Sequence, residues 1–214
     1  MKTLTIKMLA AGLFALTLAL SGGSAARAMN KVPDNPSELR ETLMGDLVAD
    51  AMRTALDADV ALINAGSLGP GDPPDTITEK TVGQIVPYGD DVVVLVELTG
   101  TDLLAALEKS VSVLPKRFSG FLQVSGVSFT CDVNEKSGGR ISRLRINGTL
   151  INPEAVYTVA LTDFLASGGS GFTSFKNGKP VEDREMPLED IVLNHAQLTD
   201  DLADSVGARI VSRP

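Results

Sequence analysis

From Leu39 onward the chain moves between helical and alternating hydrophobic patterns, and each change of period marks an element. Leu39, Leu43, Leu47 and Met52 recur near the repeat of an amphipathic helix, with Ser37 as its N-cap and an end near Leu56. Asp59 to Asn64 (DVALIN) is short and almost wholly apolar, the pattern of a strand covered on both faces. Thr78 to Val86 predicts a short helix, Val92 to Leu98 a buried strand, and Thr101 to Val113 a second amphipathic helix. At Leu122 the period becomes two: Leu122 and Val124, then Val127, Phe129 and Cys131, alternate with polar residues, and Gly126 stands where a bulge would shift the phase. Arg140 to Ile146 and a strand from Leu150 are joined by Asn147-Gly148, a strong hairpin signal. With Thr149 the same residues spell a glycosylation sequon, which the hairpin explains without a eukaryotic host. Ala155 to Thr162 predicts a strand, Leu188 to Leu202 a helix, and Ala208 to Val211 a last short strand. Turn clusters at Gly69 to Pro74, Ser137 to Gly139 and Lys176 to Pro180 separate the elements without any long linker. The pattern predicts one α+β domain, helices segregated from a mixed sheet, from about residue 30 to the end.

The first 28 residues follow a different logic. Lys2 and Lys7 precede an apolar run from Met8 to Leu20, and small residues then lead to Ala26-Arg27-Ala28, the A-x-A pattern of a secretory cleavage site. A run of that length is shorter than the roughly 20 residues of a spanning helix. The expected organisation is a signal peptide, 1–28, followed by one domain, 29–214, periplasmic or secreted and without a stable membrane anchor. Cleavage there removes three of the 19 positive charges and none of the 27 negative ones, which moves the net charge from −8 to −11.

Composition narrows the chemistry. Of 214 residues 43% are hydrophobic and 21% charged, a globular balance, and the acidic excess offers no basic field for nucleic acid. A single cysteine, Cys131, excludes an internal disulfide, a CxxC pair and a Cys-rich zinc site; one unpartnered cysteine suits a bacterial periplasm. A single histidine, His195, excludes a multi-histidine metal cluster, so no metal site is expected. Aromatic residues make up only 4%, with no Trp, so an exposed ring calls for a reason.

Catalytic motifs fare poorly. Ala65-Gly66-Ser67-Leu68-Gly69 follows a strand as a nucleophile elbow does, with His195 as the one conceivable base, but an elbow runs into a helix and Pro70, Gly71, Pro73 and Pro74 forbid one. His195 falls within a helix among Ile191, Val192 and Leu198, where packing explains it. Gly168-Gly169-Ser170-Gly171 lacks the ending of a P-loop and the spacing of a dinucleotide fingerprint, so no cofactor is expected. What remains is a glycine-rich turn after a strand, where a backbone can approach a ligand closely. No catalytic residue is assigned.

Six segments occur in a recognisable order: Arg40 to Met52 (RETLMGDLVADAM), Asp59 to Gly66 (DVALINAG), Val86 to Asp90 (VPYGD), Val96 to Gly100 (VELTG), Leu122 to Gly126 (LQVSG) and Thr162 to Phe172 (TDFLASGGSGF). Together they resemble the C-terminal domain of 5'-nucleotidases and bacterial UDP-sugar hydrolases over essentially the whole chain after the leader. In that family an α+β domain of this kind grips the nucleoside, while a preceding metallophosphoesterase domain carries two metal ions. Because the fold starts directly after the leader, the resemblance implies a stand-alone copy without the metal-bearing half.

The resemblance also implies a substrate site that is only partly kept. Tyr88 and Phe164 match the two rings that clamp the base, Asn64 matches an asparagine that contacts base or ribose, and Gly168, Gly169 and Ser170 form the glycine-rich turn. Where the family has an arginine upstream of the first helix this chain has Glu38, and where Asn-Gly-Gly-Gly-Ile-Arg ends in arginine it has Gly69. A ribose-binding Asp is replaced by Ser170, and two helix positions usually occupied by Asn are Leu43 and Asp46. Two stacked rings at about 1–3 kcal/mol each, against roughly 4 kcal/mol for millimolar affinity, allow weak binding of a nucleoside. The expected partner is thus a nucleoside or nucleotide, with no hydrolase activity in the chain itself. Alternatives are one subunit of a split nucleotidase, completed by a separate metallophosphoesterase chain, or an interaction module that has given up ligands.

Overall fold

The computed structural model describes residues 34–198 and 206–213. The predicted leader, the first residues of the predicted domain and the end of the last predicted helix lie outside the described residues. In chain order the elements are α1 (Leu43–Ala55), β1 (Val60–Asn64), α2 (Val82–Ile85), β2 (Val92–Thr99), α3 (Gly100–Val111), β3 (Leu122–Ser125), β4 (Val127–Asp132), β5 (Ile141–Ile146), β6 (Thr149–Leu150), β7 (Val156–Thr162), α4 (Asp163–Ala166), β8 (Lys179–Pro187), α5 (Leu188–Leu198) and β9 (Ile210–Arg213).

Five strands form one mixed sheet in the order β3-β1-β7-β2-β8, in which β1 and β7 run parallel and the other pairs antiparallel. A second sheet, β6-β5-β4-β9, is antiparallel except for its β4–β9 pair. Alternation along the strands of the first sheet divides two cores. Ala61, Ile63, Val93, Leu95 and Ala160 meet Met44, Val48 and Met52 of α1, Ile85 of α2 and Ile191 of α5. Val60, Leu62, Val96, Leu98, Val159 and Leu161 face α3 and the second sheet, with Phe121, Phe172 and Phe175 buried among them. The α+β class holds, with helices on both faces of the larger sheet.

Local chemistry explains where the elements differ from the sequence pattern. The first helix starts at Leu43, because Thr42 is its cap and its hydroxyl accepts from Gly45 N; Ser37 belongs to a short 3-10 turn, Pro36–Glu38, capped by Asn35. Gln123, fully buried in β3, fixes this junction. Its Oε1 accepts from Thr42 N at 3.0 Å and its Nε2 donates to Ser37 O at 3.0 Å and Arg40 O at 2.8 Å. Gly126 is a corner between the two sheets more than a bulge within one. Its φ of +73° turns the chain from β3 into β4, and a Cβ there would lie 2.1 Å from Asp59 O. Asn147 and Gly148 both have positive φ, 48° and 80°, the geometry of the expected two-residue hairpin. The hydrophobic pattern does not predict β8, for it is a polar edge strand bounded by prolines.

The C-terminal strand is held on α1 by carboxylates. Glu41 Oε2 accepts from Ile210 N and Asp46 Oδ2 from Gly207 N, both at 2.8 Å, while Arg209 pairs with Asp50 at 2.7 Å. Burial pushes the Asp46 carboxyl up to about 6, against the pull of Gly207 N–H and Arg209 and with a further push from Glu41. Among the described residues Glu41 Oε1 and Asp46 Oδ1 are buried without hydrogen-bond partners, so protonation relieves both. The folded state therefore favours the neutral acid: its stabilisation is complete below the ordinary aspartate value of 3.8 and is lost as pH rises through about 6. Asp46→Asn, which imitates the neutral acid, is expected to remove this dependence. The wild type should gain stability relative to the variant when urea midpoints at pH 7 and pH 4.5 are compared.

Candidate functional site

The topology brings four chain segments to one end of the larger sheet. β1 and β7 are parallel and finish there, at Asn64 and Thr162, whereas β2 and β3 run the other way and begin there. Ligands of sheet proteins collect at such an end, where loops converge on the carboxyl ends of strands. A cavity of about 380 Å³ opens at this place, lined by Asn64, Gly66, Ser67, Tyr88, Asp91, Ser119, Phe164 and Ser170. The volume is within the range of small-molecule sites.

Each wall has a local cause. After β1 the chain makes one 3-10 turn, Ala65–Ser67, lashed to the segment before β3 by Ala65 N to Phe121 O at 2.8 Å and Gly66 N to Ser119 O at 2.7 Å. Asn64 is buried, and its carboxamide is partly engaged: Oδ1 accepts from Ser67 Oγ at 3.1 Å and Nδ2 donates to Ser119 O at 3.4 Å. One Nδ2 hydrogen is left for a ligand. Tyr88 and Asp91 sit at the two ends of one turn, closed by Asp91 N to Tyr88 O at 3.0 Å. Phe164 follows β7 at once, because Thr162 caps the single-turn helix α4 and accepts from Leu165 N.

The two rings stand out by exposure, Tyr88 at 57% and Phe164 at 43%; every other aromatic residue among the described residues is less exposed than either. They form no ring pair with each other, whereas Phe172 stacks on Phe175 with centroids 5.2 Å apart. Gly169 shapes one of them from behind, since a Cβ there would meet the Phe164 ring at 2.5 Å. Gly168 turns the chain at φ +90°, against the Lys176 stem, and neither glycine lines the cavity. Ser170 does line it, in a left-handed conformation with φ 52°.

Of the residues singled out in the sequence, Asn64, Tyr88, Phe164 and Ser170 are thus brought together, with Gly168 and Gly169 behind them. Ser119 and Asp91 carry no motif of their own, Gly66 closes the DVALINAG segment without a role assigned to it, and Ser67 enters the sequence pattern only as a nucleophile candidate. Ser67 Oγ donates to Asn64, its turn enters no α-helix, and His195 does not line the cavity. Burial pushes the His195 imidazole below its ordinary value, against Asp50. The lost arginine positions have structural occupants. Glu38 pairs with Arg117 at 2.9 Å. At Gly69 a Cβ would fall 1.7 Å from Gln84 O, so this loop path admits no side chain at that position. Among the described residues no group of three or more His, Cys, Asp or Glu is placed to hold a metal ion.

Comparison with known proteins gives this geometry a context. The family model described as 5'-nucleotidase, C-terminal domain matches residues 22–177. The trifunctional nucleotide phosphoesterase protein YfkN of Bacillus subtilis is 32% identical over 153 residues, covering 67% of this chain and 10% of that protein. Bovine (Bos taurus) 5'-nucleotidase is 30% identical over 165 residues, covering 67% of this chain and 29% of that one. The crystal structure of the 5'-nucleotidase precursor from Thermus thermophilus superposes with a TM-score of 0.74 at 28% identity, over 82% of this chain and 36% of that chain. The chain thus spans well under half the length of each of these three.

Proposed function

The chain belongs to the family of 5'-nucleotidase C-terminal domains, and from that membership we propose that its cavity holds a nucleoside, with the base stacked between Tyr88 and Phe164. One observation carries the reading. Among the described residues only two aromatic rings are substantially exposed, in a chain with few aromatics, and both line the same cavity with an unspent amide hydrogen of Asn64 between the strand ends. Exposed rings lose apolar contact in the free protein and regain it on a flat π-system. Gly168 and Gly169 set the ring and the turn, and Ser170 offers a hydroxyl to the sugar.

Among the described residues no Lys or Arg lines the cavity, so a phosphate finds no charge-assisted bond from them and adds little affinity. Hydrolysis of a phosphoester needs metal ions that activate water and offset charge on phosphorus, held by several His and carboxylate ligands. The chain has one histidine, and that one is in α5. Hydrolysis accordingly belongs to a metallophosphoesterase domain, and this chain contributes nucleoside binding to nucleotide breakdown outside the cytoplasm, where the leader-like residues 1–28 direct it.

A thermal-shift screen of the chain against nucleosides, nucleotides and nucleotide sugars tests the binding, since a ligand that binds only the folded state raises its melting temperature. Adenosine and its monophosphate are expected to bind within a few-fold of each other. The purified chain is expected to release no phosphate from nucleotides or UDP-sugars, with or without divalent metal; metal-dependent turnover that co-purifies with the chain through two columns contradicts this assignment.

A further inference from the structure

The cavity's charge goes beyond what the aromatic clamp requires. Asp91 is the one ionisable carboxylate among its lining residues, and it joins Tyr88 through a single turn, so ring and carboxylate face the same space. Among the described residues its carboxylate has no hydrogen-bond or ion-pair partner, although the residue is only partly exposed. Asp90 and Asp163 flank it. Burial pushes the Asp91 carboxyl above its ordinary value, and Asp163 and then Asp90 push in the same direction. Asp163 Oδ1 is spent on Phe164 N at 2.8 Å, and Asp90 is exposed. Two lysines border the glycine-rich turn without lining the cavity: Lys176 packs its stem on Gly168, and Lys109 holds its ammonium 5.5 Å from the Phe118 ring. Nothing in the lining offsets the negative charge.

Two π faces beside an unpaired carboxylate form the chemistry that recognises a cation, because ring quadrupole and carboxylate attract the same charge. A neutral base uses the rings and leaves Asp91 without a partner; a positively charged base satisfies both.

We propose that this site selects nucleosides whose base carries a positive charge, with Asp91 as the residue that sets the preference. The proposal rests on the nucleoside reading of the same cavity and deepens it to a ligand class. Selection acts through the base, since the cation has to lie between the rings and Asp91, and it needs no covalent step.

Two isomers of equal size test it. 1-Methyladenosine is protonated at pH 7, whereas N6-methyladenosine is neutral, so isothermal titration of each into the unaltered protein isolates the charge. The 1-methyl isomer is expected to bind about tenfold tighter than the N6-methyl isomer and than adenosine. In Asp91→Asn the ratio of 1-methyl to N6-methyl affinity should fall to within about threefold, and added salt should narrow it in the wild type. Equal affinity for the isomers in the wild type overturns the inference, whatever the variant does. Adenosine binding without preference overturns this inference alone; failure of all three ligands to bind overturns the nucleoside reading as well.

Discussion

Phe164→Ala and Tyr88→Ala are each expected to weaken nucleoside binding by about 1–3 kcal/mol, roughly five- to 150-fold, and the double substitution to abolish measurable binding. The effect should be confined to binding. Both rings are exposed in the free protein, at 57% and 43%, so their removal forfeits little of the buried area that holds the fold together. Melting temperatures close to the wild type together with lost affinity identify a ligand clamp. Full affinity in both variants places the ligand elsewhere. Gly169→Ala offers an indirect version, because its Cβ would enter the Phe164 ring and displace it while the ring itself remains.

The largest expected loss of stability is at Gln123. Its side chain satisfies the amide of Thr42 and the carbonyls of Ser37 and Arg40, all where the chain enters α1. Gln123→Leu keeps the volume and strands three backbone groups, which at about 1–3 kcal/mol for each buried unsatisfied group, partly relieved by relaxation, costs about 3–5 kcal/mol. Urea unfolding measures this directly. Gly45→Ala should act on the same junction, since a Cβ there would lie 2.1 Å from Gln123 Oε1. A Gln123→Leu midpoint equal to the wild type shows that the entry to α1 is held by something else.

The sequence pattern locates elements whose reasons are local and misses those whose reasons are distant. The DVALIN run, the Asn147-Gly148 turn and the alternation from Leu122 carry their own local signals, and strands β1, β3, β4 and β5 stand where those signals place them. The start of α1 does not, because Ser37 and Thr42 both have cap chemistry and the choice between them is made by Gln123, 81 residues beyond Thr42. β8 is missed for a similar reason: five of the nine residues from Lys179 to Pro187 are charged, Val181 and Met186 do not alternate at the spacing of a strand, and pairing with β2 is what makes it one. In the candidate site the rings and Asn64 are visible because they fall within ordered motifs. Ser119 is not, since its part is played through a carbonyl that any residue supplies. Asp91 escapes notice because its neighbour Asp90 closes the quoted segment, and which of two adjacent carboxylates faces a cavity depends on the turn that follows Tyr88.

The central claim is that a nucleoside is held between the strand ends, and backbone amide shifts during an adenosine titration test it most directly. The account predicts saturable shifts at residues 64–67, 88–91, 119 and 163–170 that share one dissociation constant, with β4–β6 of the second sheet unmoved. Saturable shifts confined to another surface, or none at millimolar adenosine, contradict it.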